Sequence, residues 1–297
     1  MPGRSRARRV AHPRSSPVRA VLSLTERQTK VATTAAPTRP RTQLMGLDLD
    51  RLSEQDTIAT TLDGVRSGQG GWVCPTNLDV LRQYVSSADV RDLVGEADLV
   101  VADGMPLIWA SRIAGVPLPE RVAGSSLIWS LPERAASEGI SIFLLGGNEG
   151  AAEAAAETLR DRHEDLDLIG TFCPPFGFER DPAELAAIDR ALTASRPDVV
   201  FVGLGFPKQE RLIRHLRSAF PKIWFVACGV SFSFVSGEVA RAPEWAQRLG
   251  LEWVHRMVQE PRRLCRRYLV EGLPFGARLF VSAVRSRVRR RGAPADR

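Results

Sequence analysis

The sequence predicts an α/β fold built on a mostly parallel sheet with crossover helices, followed by a C-terminal helical appendage. Short apolar runs alternate along the chain with longer amphipathic segments, at the spacing of strand–helix–strand units. Apolar runs such as Ile142-Phe-Leu-Leu145 contain no alternating polar residues. Runs of this kind are typical of strands that helices cover on both faces.

Six strands and six crossover helices follow from this pattern. The strands are predicted at residues 72–74, 99–102, 140–145, 166–169, 199–202 and 223–227. The helices are predicted near residues 78–94, 106–115, 125–138, 150–163, 182–195 and 208–219. Such regular alternation indicates a Rossmann-like arrangement.

Composition divides the chain into four regions. Residues 1–44 are rich in Arg, Pro, Ser, Thr and Ala and hold few large apolar side chains, which predicts a disordered basic arm. Residues 45–239 form the predicted α/β domain, which would hold any catalytic site. In residues 240–290 large apolar side chains recur at helical intervals among arginines, which predicts a helical basic appendage. Residues 291–297 are a short tail.

The net charge of +7 at pH 7 is unevenly distributed along the chain. Residues 1–44 and residues 262–297 each carry a net charge of +9, so the body between them, 45–261, carries −11. An acidic body argues against a nucleic-acid partner, and no platform of aromatic and basic residues lies on a predicted strand. The basic ends are suited to an anionic surface.

Residue types also predict the compartment. The 4 cysteines lack Cys-x-x-Cys spacing and mostly adjoin apolar runs, which favours reduced thiols in a cytoplasmic protein. No apolar stretch approaches the ~18–20 residues that cross a bilayer. The Arg-rich N-terminus lacks the apolar segment of a signal peptide.

Asp103-Gly104 directly follows the strand predicted at 99–102, and Pro106 suits the first turn of a helix after it. In open α/β sheets, ligands bind beyond the carboxyl ends of the strands. A carboxylate held there on a tight turn could act as a general base. The alternative is an Asp-Gly turn without a catalytic role.

Several predicted strands end in glycine-rich or polar turns. These turns contain Asn77, Asp103-Gly104, Gly146-Gly147, Gly203, Gly205 and Gly229. Glycine lets the backbone approach a phosphate, and the helix that follows supplies unpaired N–H groups. Several such turns at one sheet edge favour a nucleotide or phosphorylated ligand over tight packing alone. The Gly146-to-Gly150 spacing differs from the dinucleotide fingerprint, so no NAD or other cofactor is predicted.

A catalytic metal is not predicted either. Asp165-Leu-Asp167 has the form of a metal-binding pair, but it precedes a strand and therefore lies at the opposite edge of the sheet. The 4 histidines are too dispersed for a metal site.

Seven motifs in this order resemble the WecG/TagA/CpsF glycosyltransferases (glycosyltransferase family 26) from about residue 70 to 270. The motifs are Asp103-Gly-Met-Pro-Leu, Leu118-Pro-Glu-Arg-Val-Ala-Gly124, Phe143-Leu-Leu-Gly-Gly147, Pro174-Pro-Phe-Gly-Phe178, Gly203-Leu-Gly-Phe-Pro-Lys-Gln-Glu210, Arg241-Ala-Pro-Glu-Trp245 and Leu251-Glu-Trp-Val-His-Arg256. The series is highly specific, although each piece alone is not. One departure is Pro75-Thr76-Asn77, where the threonine stands one position later than in the family's Thr-x-Asn.

The resemblance implies an inverting, metal-independent transfer of a sugar from a UDP-sugar to a polyprenyl-diphosphate-linked saccharide, in the synthesis of a cell-surface polysaccharide. It implies that Asp103 is the catalytic base. It also places Thr76, Asn77, Arg121 and Gln209 in the substrate pocket. Without a metal, arginines and strand-end turns must stabilise the UDP leaving group. The residues we expect to bind the nucleotide are Gly146, Gly147, Gly203, Gly205, Glu210, Gly229, Arg256, Arg263 and Arg266.

The implied location is the cytoplasmic face of the plasma membrane, where the basic, amphipathic segment 273–291 would bind anionic lipid. N-acetylmannosamine, its uronate and glucose are all compatible donor sugars, and homo-oligomer formation is left open.

Two other classes of function are also open. One is a non-catalytic nucleotide-binding or nucleic-acid-binding protein with basic tails. The other is a UDP-sugar hydrolase or epimerase, which would act without a lipid acceptor.

Overall fold

The computed structural model describes residues 39–240, 242, 243, 246 and 252–292. The predicted disordered arm up to residue 38 lies outside the described residues. So does the part of the tail beyond residue 292. Of the motif Arg241-Ala-Pro-Glu-Trp245, only Ala242 and Pro243 are described.

A six-stranded, all-parallel sheet forms the centre of the molecule, in the spatial order β4-β3-β8-β7-β5-β6. Its strands are β3 (Gly71–Thr76), β4 (Leu99–Ala102), β5 (Ile142–Gly146), β6 (Leu168–Phe172), β7 (Val199–Gly203) and β8 (Trp224–Ala227). All six lie where the apolar runs predicted strands. The predicted α/β class with a parallel sheet is confirmed.

Helices cover both faces of this sheet. They are α1 (Glu54–Arg66), α2 (Leu78–Ser86), α3 (Ala88–Gly95), α4 (Met105–Ile113), α5 (Gly124–Ala136), α6 (Ala151–Arg162), α7 (Pro182–Ser195), α8 (Lys208–Ala219) and the short α9 (Ser231–Val235). The helix predicted near 78–94 is two helices, because Ser87 ends α2 in an extended conformation and caps α3 through its side chain. Helix α1 was not predicted, although Ser53 and Asp56 form a capping box at its start.

Successive residues of each strand belong to two separate cores. Val73, Leu144 and Phe201 pack in one core with α1, α5 and α6. Cys74, Leu145 and Val202 pack in the other, with α2, α4 and α8. Strand side chains point alternately to the two faces of a sheet. Continuous apolar runs are therefore the pattern that a doubly covered sheet requires.

An antiparallel hairpin precedes the sheet, with strands β1 (Arg41–Leu44) and β2 (Leu47–Asp50). Residues 41–44 were predicted to be disordered, and this boundary is wrong. Leu44, Leu47 and Leu49 are buried in the core, and Met45-Gly46 supplies a turn with two positive φ angles. The prediction used the composition of residues 1–44 as a whole, which is rich in arginine and proline, and so missed the short alternating pattern of strand β1.

The hairpin is fastened to the edge strand β4 by a buried carboxylate. Asp50 is 1% exposed, and its Oδ2 accepts a hydrogen bond of 2.9 Å from the backbone N–H of Val100. Its Oδ1 accepts one of 2.9 Å from Arg41 Nε. Asp50 thus satisfies a donor that an edge strand would otherwise leave unpaired.

The chain ends in a C-terminal segment, which we define as residues 252–292. It comprises helices Glu252–Gln259 and Pro261–Cys265, a π-helical stretch Arg266–Gly272 and the long helix Leu273–Gly292. Phe275, Leu279 and Ala283 of the long helix belong to the same core cluster as the sheet and α4. The predicted helical appendage is therefore docked on the α/β body. Within the described residues, no helix combines the length and the apolar character needed to span a membrane.

Replacing Asp50 tests the attachment of the hairpin. Asp50→Ala leaves the Val100 N–H without a partner, so we expect a loss of about 1–3 kcal/mol in the free energy of unfolding. Asp48→Ala on the exposed face of the same strand is the matched control, with an expected change within about 0.5 kcal/mol. Urea denaturation measures both values. Equal effects of the two substitutions would contradict the role assigned to Asp50.

Candidate active site

A cleft of about 1210 Å³ opens at the carboxyl edge of the sheet. The turns that follow β3, β4, β7 and β8 contribute Asn77, Asp103, Gly205 and Gly229 to its wall. These four strands are adjacent in the sheet, in the order β4-β3-β8-β7. The parallel topology therefore brings together four of the turns that the sequence analysis selected.

Asp103 lies at the end of β4, with 29% of its side chain exposed to the cleft. Its backbone N–H donates to the Thr76 carbonyl oxygen at 2.8 Å, which fixes the turn to the end of β3. Gly104 follows with a φ of 150°, in the region that favours glycine, and begins α4. The carboxylate is thus held on a rigid strand end and remains accessible to a ligand.

Arg121 approaches the same carboxylate from the loop between α4 and α5. The backbone N–H of Val122 donates to the Ala102 carbonyl oxygen at 2.8 Å and so places the loop beside the end of β4. Arg121 Nη1 lies 3.8 Å from Asp103 Oδ1 and 3.2 Å from Glu252 Oε2. The guanidinium is therefore shared between Asp103 and the C-terminal segment.

Asn77 and Thr76 have different positions at the end of β3. Asn77 lines the cleft, and its Oδ1 caps α2 by accepting from the N–H groups of Asp79 and Val80 at 3.0 and 3.1 Å. Thr76 is fully buried, and its hydroxyl donates to the Cys74 carbonyl oxygen at 3.4 Å. The structure therefore corrects the expectation that Thr76 contacts substrate, because its side chain lies in the core.

Gln209 and Glu210 lie side by side in the first turn of α8, and both line the cleft. Gln209 Oε1 accepts hydrogen bonds from the N–H groups of Gly205 and Gly229 at 3.1 and 3.0 Å. Gln209 Nε2 donates to Glu210 Oε1 at 2.8 Å. Gln209 therefore serves the architecture of the cleft, in addition to any contact with a ligand.

Glu210 is 1% exposed, and its Oε2 has no hydrogen-bond partner among the described residues. Burial raises the pKa of this carboxyl group to about 7, because desolvation disfavours the charged form. Burial, together with the nearby Glu210 charge, also raises the pKa of the Cys74 and Cys228 thiols. A carboxyl group that titrates near neutrality in a ligand cleft is a common mark of a functional site.

The C-terminal segment supplies two of the arginines that line the cleft. The Nε atoms of Arg256 and Arg267 are buried and have no hydrogen-bond partner among the described residues. Arg256 also stacks on Phe234 with its Cζ 5.5 Å from the ring centroid, and Arg267 Nη2 contacts Asp79 Oδ2 at 2.9 Å. Both side chains are therefore held in place at the wall of the cleft.

Arg263 and Arg266 were also predicted to bind the nucleotide. Arg266 is 84% exposed, lies 3.6 Å from Glu271 and is absent from the cleft wall, whereas Arg267 lines it, so the structure does not place Arg266 at the cleft. Arg266 is the first residue of the π-helical stretch Arg266–Gly272. The Arg263 side chain lies outside what the structure describes.

Gly146, Gly147 and Gly203 do not line the cleft. A Cβ on Gly203 would lie 2.7 Å from Phe232 Cε2, and one on Gly147 would lie 3.0 Å from Phe232 Cδ2. A Cβ on Gly146 would meet Leu204 Cγ at 2.7 Å. The expectation that these glycines contact a nucleotide is corrected, since they make room for Phe232 and Leu204 in the packing.

Some cleft residues were not predicted. Lys208 Nζ lies 5.0 Å from the centroid of the exposed Phe176 ring and 3.2 Å from Glu179, while Trp109 of α4 is 38% exposed. Lys208 and Glu252 stand inside motifs already quoted, so their sequence positions were available as signals. Trp109 carried no such signal, because a tryptophan in an amphipathic helix is ordinarily a core residue.

Asp167 precedes β6, as predicted, and its carbonyl oxygen accepts from the N–H of Ile142 at the amino end of β5. This position is remote from the carboxyl edge that forms the cleft. No group of three or more His, Cys, Asp or Glu side chains that could hold a metal ion occurs in the described part of the chain.

Comparison with known proteins identifies the same family that the sequence motifs resemble. Residues 42–290 match the model of the glycosyl transferase WecG/TagA/CpsF family. An N-acetylglucosaminyldiphosphoundecaprenol N-acetyl-beta-D-mannosaminyltransferase of Bacillus spizizenii is 31% identical over 226 residues, which cover 76% of this chain and 85% of the relative. A protein of the same name from Bacillus subtilis is 28% identical over 194 residues, covering 65% and 73%. The chain therefore belongs to the WecG/TagA/CpsF family of glycosyltransferases, as its motifs predicted.

Proposed function

We propose that the protein transfers an N-acetylmannosamine-type sugar from a UDP-sugar to a polyprenyl-diphosphate-linked N-acetylglucosamine, with inversion and without a metal ion. The observation that carries the proposal is the accessible Asp103 carboxylate beside Arg121, in a cleft whose wall also includes Arg256 and Arg267. The donor and acceptor follow the names of the two relatives.

Asp103 acts as the general base in this mechanism. It takes the proton from the acceptor hydroxyl group as that oxygen attacks the anomeric carbon of the donor sugar. The bond between the anomeric carbon and the diphosphate oxygen breaks, and UDP leaves with the bonding electron pair. A single displacement on the face opposite the leaving group inverts the anomeric configuration.

Arginines stabilise the leaving group in place of a metal ion. Negative charge grows on the diphosphate as its bond to the sugar breaks, and preorganised cationic donors lower the energy of that state. Arg121, Arg256 and Arg267 line the cleft and are the cationic side chains that would face the diphosphate. Docking of the C-terminal segment therefore completes the anion site.

The long C-terminal helix suits a peripheral position on an anionic membrane. Its inner face packs on α4 through Phe275 and Leu279, while Val281, Val284 and Val288 are 49%, 50% and 64% exposed. Three arginines, Arg289, Arg290 and Arg291, follow in its last turn. An apolar stripe beside a basic cluster binds the interface of an anionic leaflet, which is where a polyprenyl-linked acceptor would be found.

A transfer assay tests the reaction itself. The full-length protein, incubated with UDP-N-acetylmannosamine and a short-chain polyprenyl-diphosphate-N-acetylglucosamine, should form the disaccharide-lipid and UDP at the same rate in EDTA as in Mg²⁺. Chromatography of the disaccharide-lipid and of UDP measures the rate of transfer. Loss of activity in EDTA with recovery in Mg²⁺ would contradict the metal-independent mechanism. UDP release without acceptor would favour a hydrolase.

Asp103→Asn tests the base. The substitution keeps the shape of the side chain but removes the proton acceptor, so we expect turnover to fall about 10²–10⁴-fold. UDP affinity, measured by calorimetry, should change little, because the base faces the acceptor. Asp161→Asn on the exposed end of α6 is the control. A well-folded Asp103→Asn protein with normal turnover would remove Asp103 from the mechanism.

Aspartate substitutions on the helix test the membrane proposal. Val284→Asp combined with Val288→Asp places two charges in the exposed apolar stripe, so we expect at least about tenfold weaker binding to phosphatidylglycerol vesicles. Co-sedimentation measures the bound fraction, and binding should also weaken at high salt. Val258→Asp changes a valine that is 74% exposed on another helix and serves as the control. Equal binding of all three proteins would show that the stripe does not contact lipid.

A further inference from the structure

The Gln209 carboxamide joins two loops of the cleft. Gly205 lies in the loop between β7 and α8, and Gly229 lies in the loop between β8 and α9. Both N–H groups donate to the same Gln209 Oε1, at 3.1 and 3.0 Å. One side chain therefore holds together the ends of two adjacent strands, both at the wall of the cleft.

The two glycines have few other restraints. Gly205 and Gly229 have φ angles of +76° and +62°, and a Cβ built on either would meet no heavy atom within 4 Å. They contrast with Gly203, which is packed against Phe232. Besides backbone hydrogen bonds within the loops, such as Gln209 N–H to the Gly205 carbonyl oxygen at 3.0 Å, the bonds to Gln209 Oε1 hold the two glycine amides.

Glu210 determines which way the Gln209 carboxamide faces. A carboxamide has one donor and one acceptor end, and it can rotate by half a turn to exchange them. In its ionised form the carboxylate of Glu210 only accepts, and its Oε1 receives Gln209 Nε2–H at 2.8 Å. Gln209 Oε1 must then face the two backbone N–H groups. With any other orientation, an NH₂ group would face two donors.

The burial of Glu210 also needs an explanation. A carboxyl group that is 1% exposed and has one oxygen without a partner among the described residues costs stability. Its interactions in the described part of the chain include a hydrogen bond from Gln209 and electrostatic interactions with the thiols of Cys74 and Cys228, none of which is a cation. A group retained at such a cost, within the wall of the cleft, is expected to serve the site rather than the stability of the fold.

We infer that Glu210 is a positioning residue, which orients Gln209 so that Gln209 clamps the β7–α8 and β8–α9 loops in the conformation that binds the donor. We call the hydrogen bonds from Gly205 and Gly229 to Gln209, together with the bond from Gln209 to Glu210, the clamp; they are observed directly in the structure. Only the statement about the donor rests on the proposed function.

Exchanging the two side chains tests this inference. In Gln209→Glu alone, measured above the Glu210 pKa of about 7, two ionised carboxylates face each other, and their repulsion moves the side chain at position 209 away from the glycine amides. In Gln209→Glu combined with Glu210→Gln, the carboxylate at position 209 again accepts from both glycine amides and from the carboxamide at position 210. Glu210→Gln alone keeps an acceptor beside Gln209 but no longer dictates its orientation. Glu157→Gln, an exposed position on α6, is the charge control.

Amide hydrogen exchange at Gly205 and Gly229 measures the clamp directly, and calorimetry measures UDP affinity. We expect Gln209→Glu to speed exchange at both glycines and to weaken UDP binding, each by about tenfold or more, as for loss of a hydrogen bond to a charged group. The exchanged pair should restore both quantities to within about threefold of wild type, which is the coupling that a double-mutant cycle detects.

The outcomes separate the two proposals. If exchange at Gly205 and Gly229 is unchanged in Gln209→Glu, or is as fast in the exchanged pair as in the single variant, the positioning role of Glu210 is wrong. If the glycine exchange follows the expected pattern but UDP affinity does not, the clamp exists without serving the donor, and the inference about donor binding is overturned. If wild type binds no UDP, the proposed donor is wrong while the exchange data still test the clamp.

Discussion

The parallel alignment of the strands is the constraint on which the rest of this structure depends. Because every strand of the sheet runs in the same direction, all of the turns after them meet at one edge. Asn77, Asp103, Gly205 and Gly229 are far apart in the sequence but lie on four adjacent strands there. The same geometry places Asp167 at the opposite edge, where it cannot contribute to the cleft.

The α/β body alone provides only part of the site. The C-terminal segment brings Glu252, Arg256 and Arg267 to the cleft, and its docking is held by polar as well as apolar contacts. Arg267 contacts Asp79 at 2.9 Å and Glu271 contacts Arg82 at 2.8 Å, so α2 is paired twice with this segment. The wall of the cleft is therefore complete only when the two parts of the chain are docked.

Periodicity and position predicted the sheet and the positions of Asp103 and Asn77, because strand ends in a parallel sheet have defined locations. The sequence predicted less well which side chains at the carboxyl edge of the sheet line the cleft. Gly203 and Gly205 stand two residues apart in one motif, yet Gly203 packs under Phe232 and Gly205 faces the cleft. Arg267 rather than Arg266 lines the cleft, although the two arginines are adjacent in the sequence. Such outcomes depend on tertiary packing, which a local pattern does not contain.

Arg121 shows how the two parts of the site influence each other chemically. A guanidinium in full contact with a carboxylate stabilises its charged form and makes it a weaker proton acceptor. Here Arg121 lies closer to Glu252, at 3.2 Å, than to Asp103, at 3.8 Å. Docking of the C-terminal segment therefore divides the interaction of one cation between two carboxylates. In the mechanism we propose, this arrangement lets Arg121 orient Asp103 and face the diphosphate, while Glu252 shares the guanidinium with Asp103.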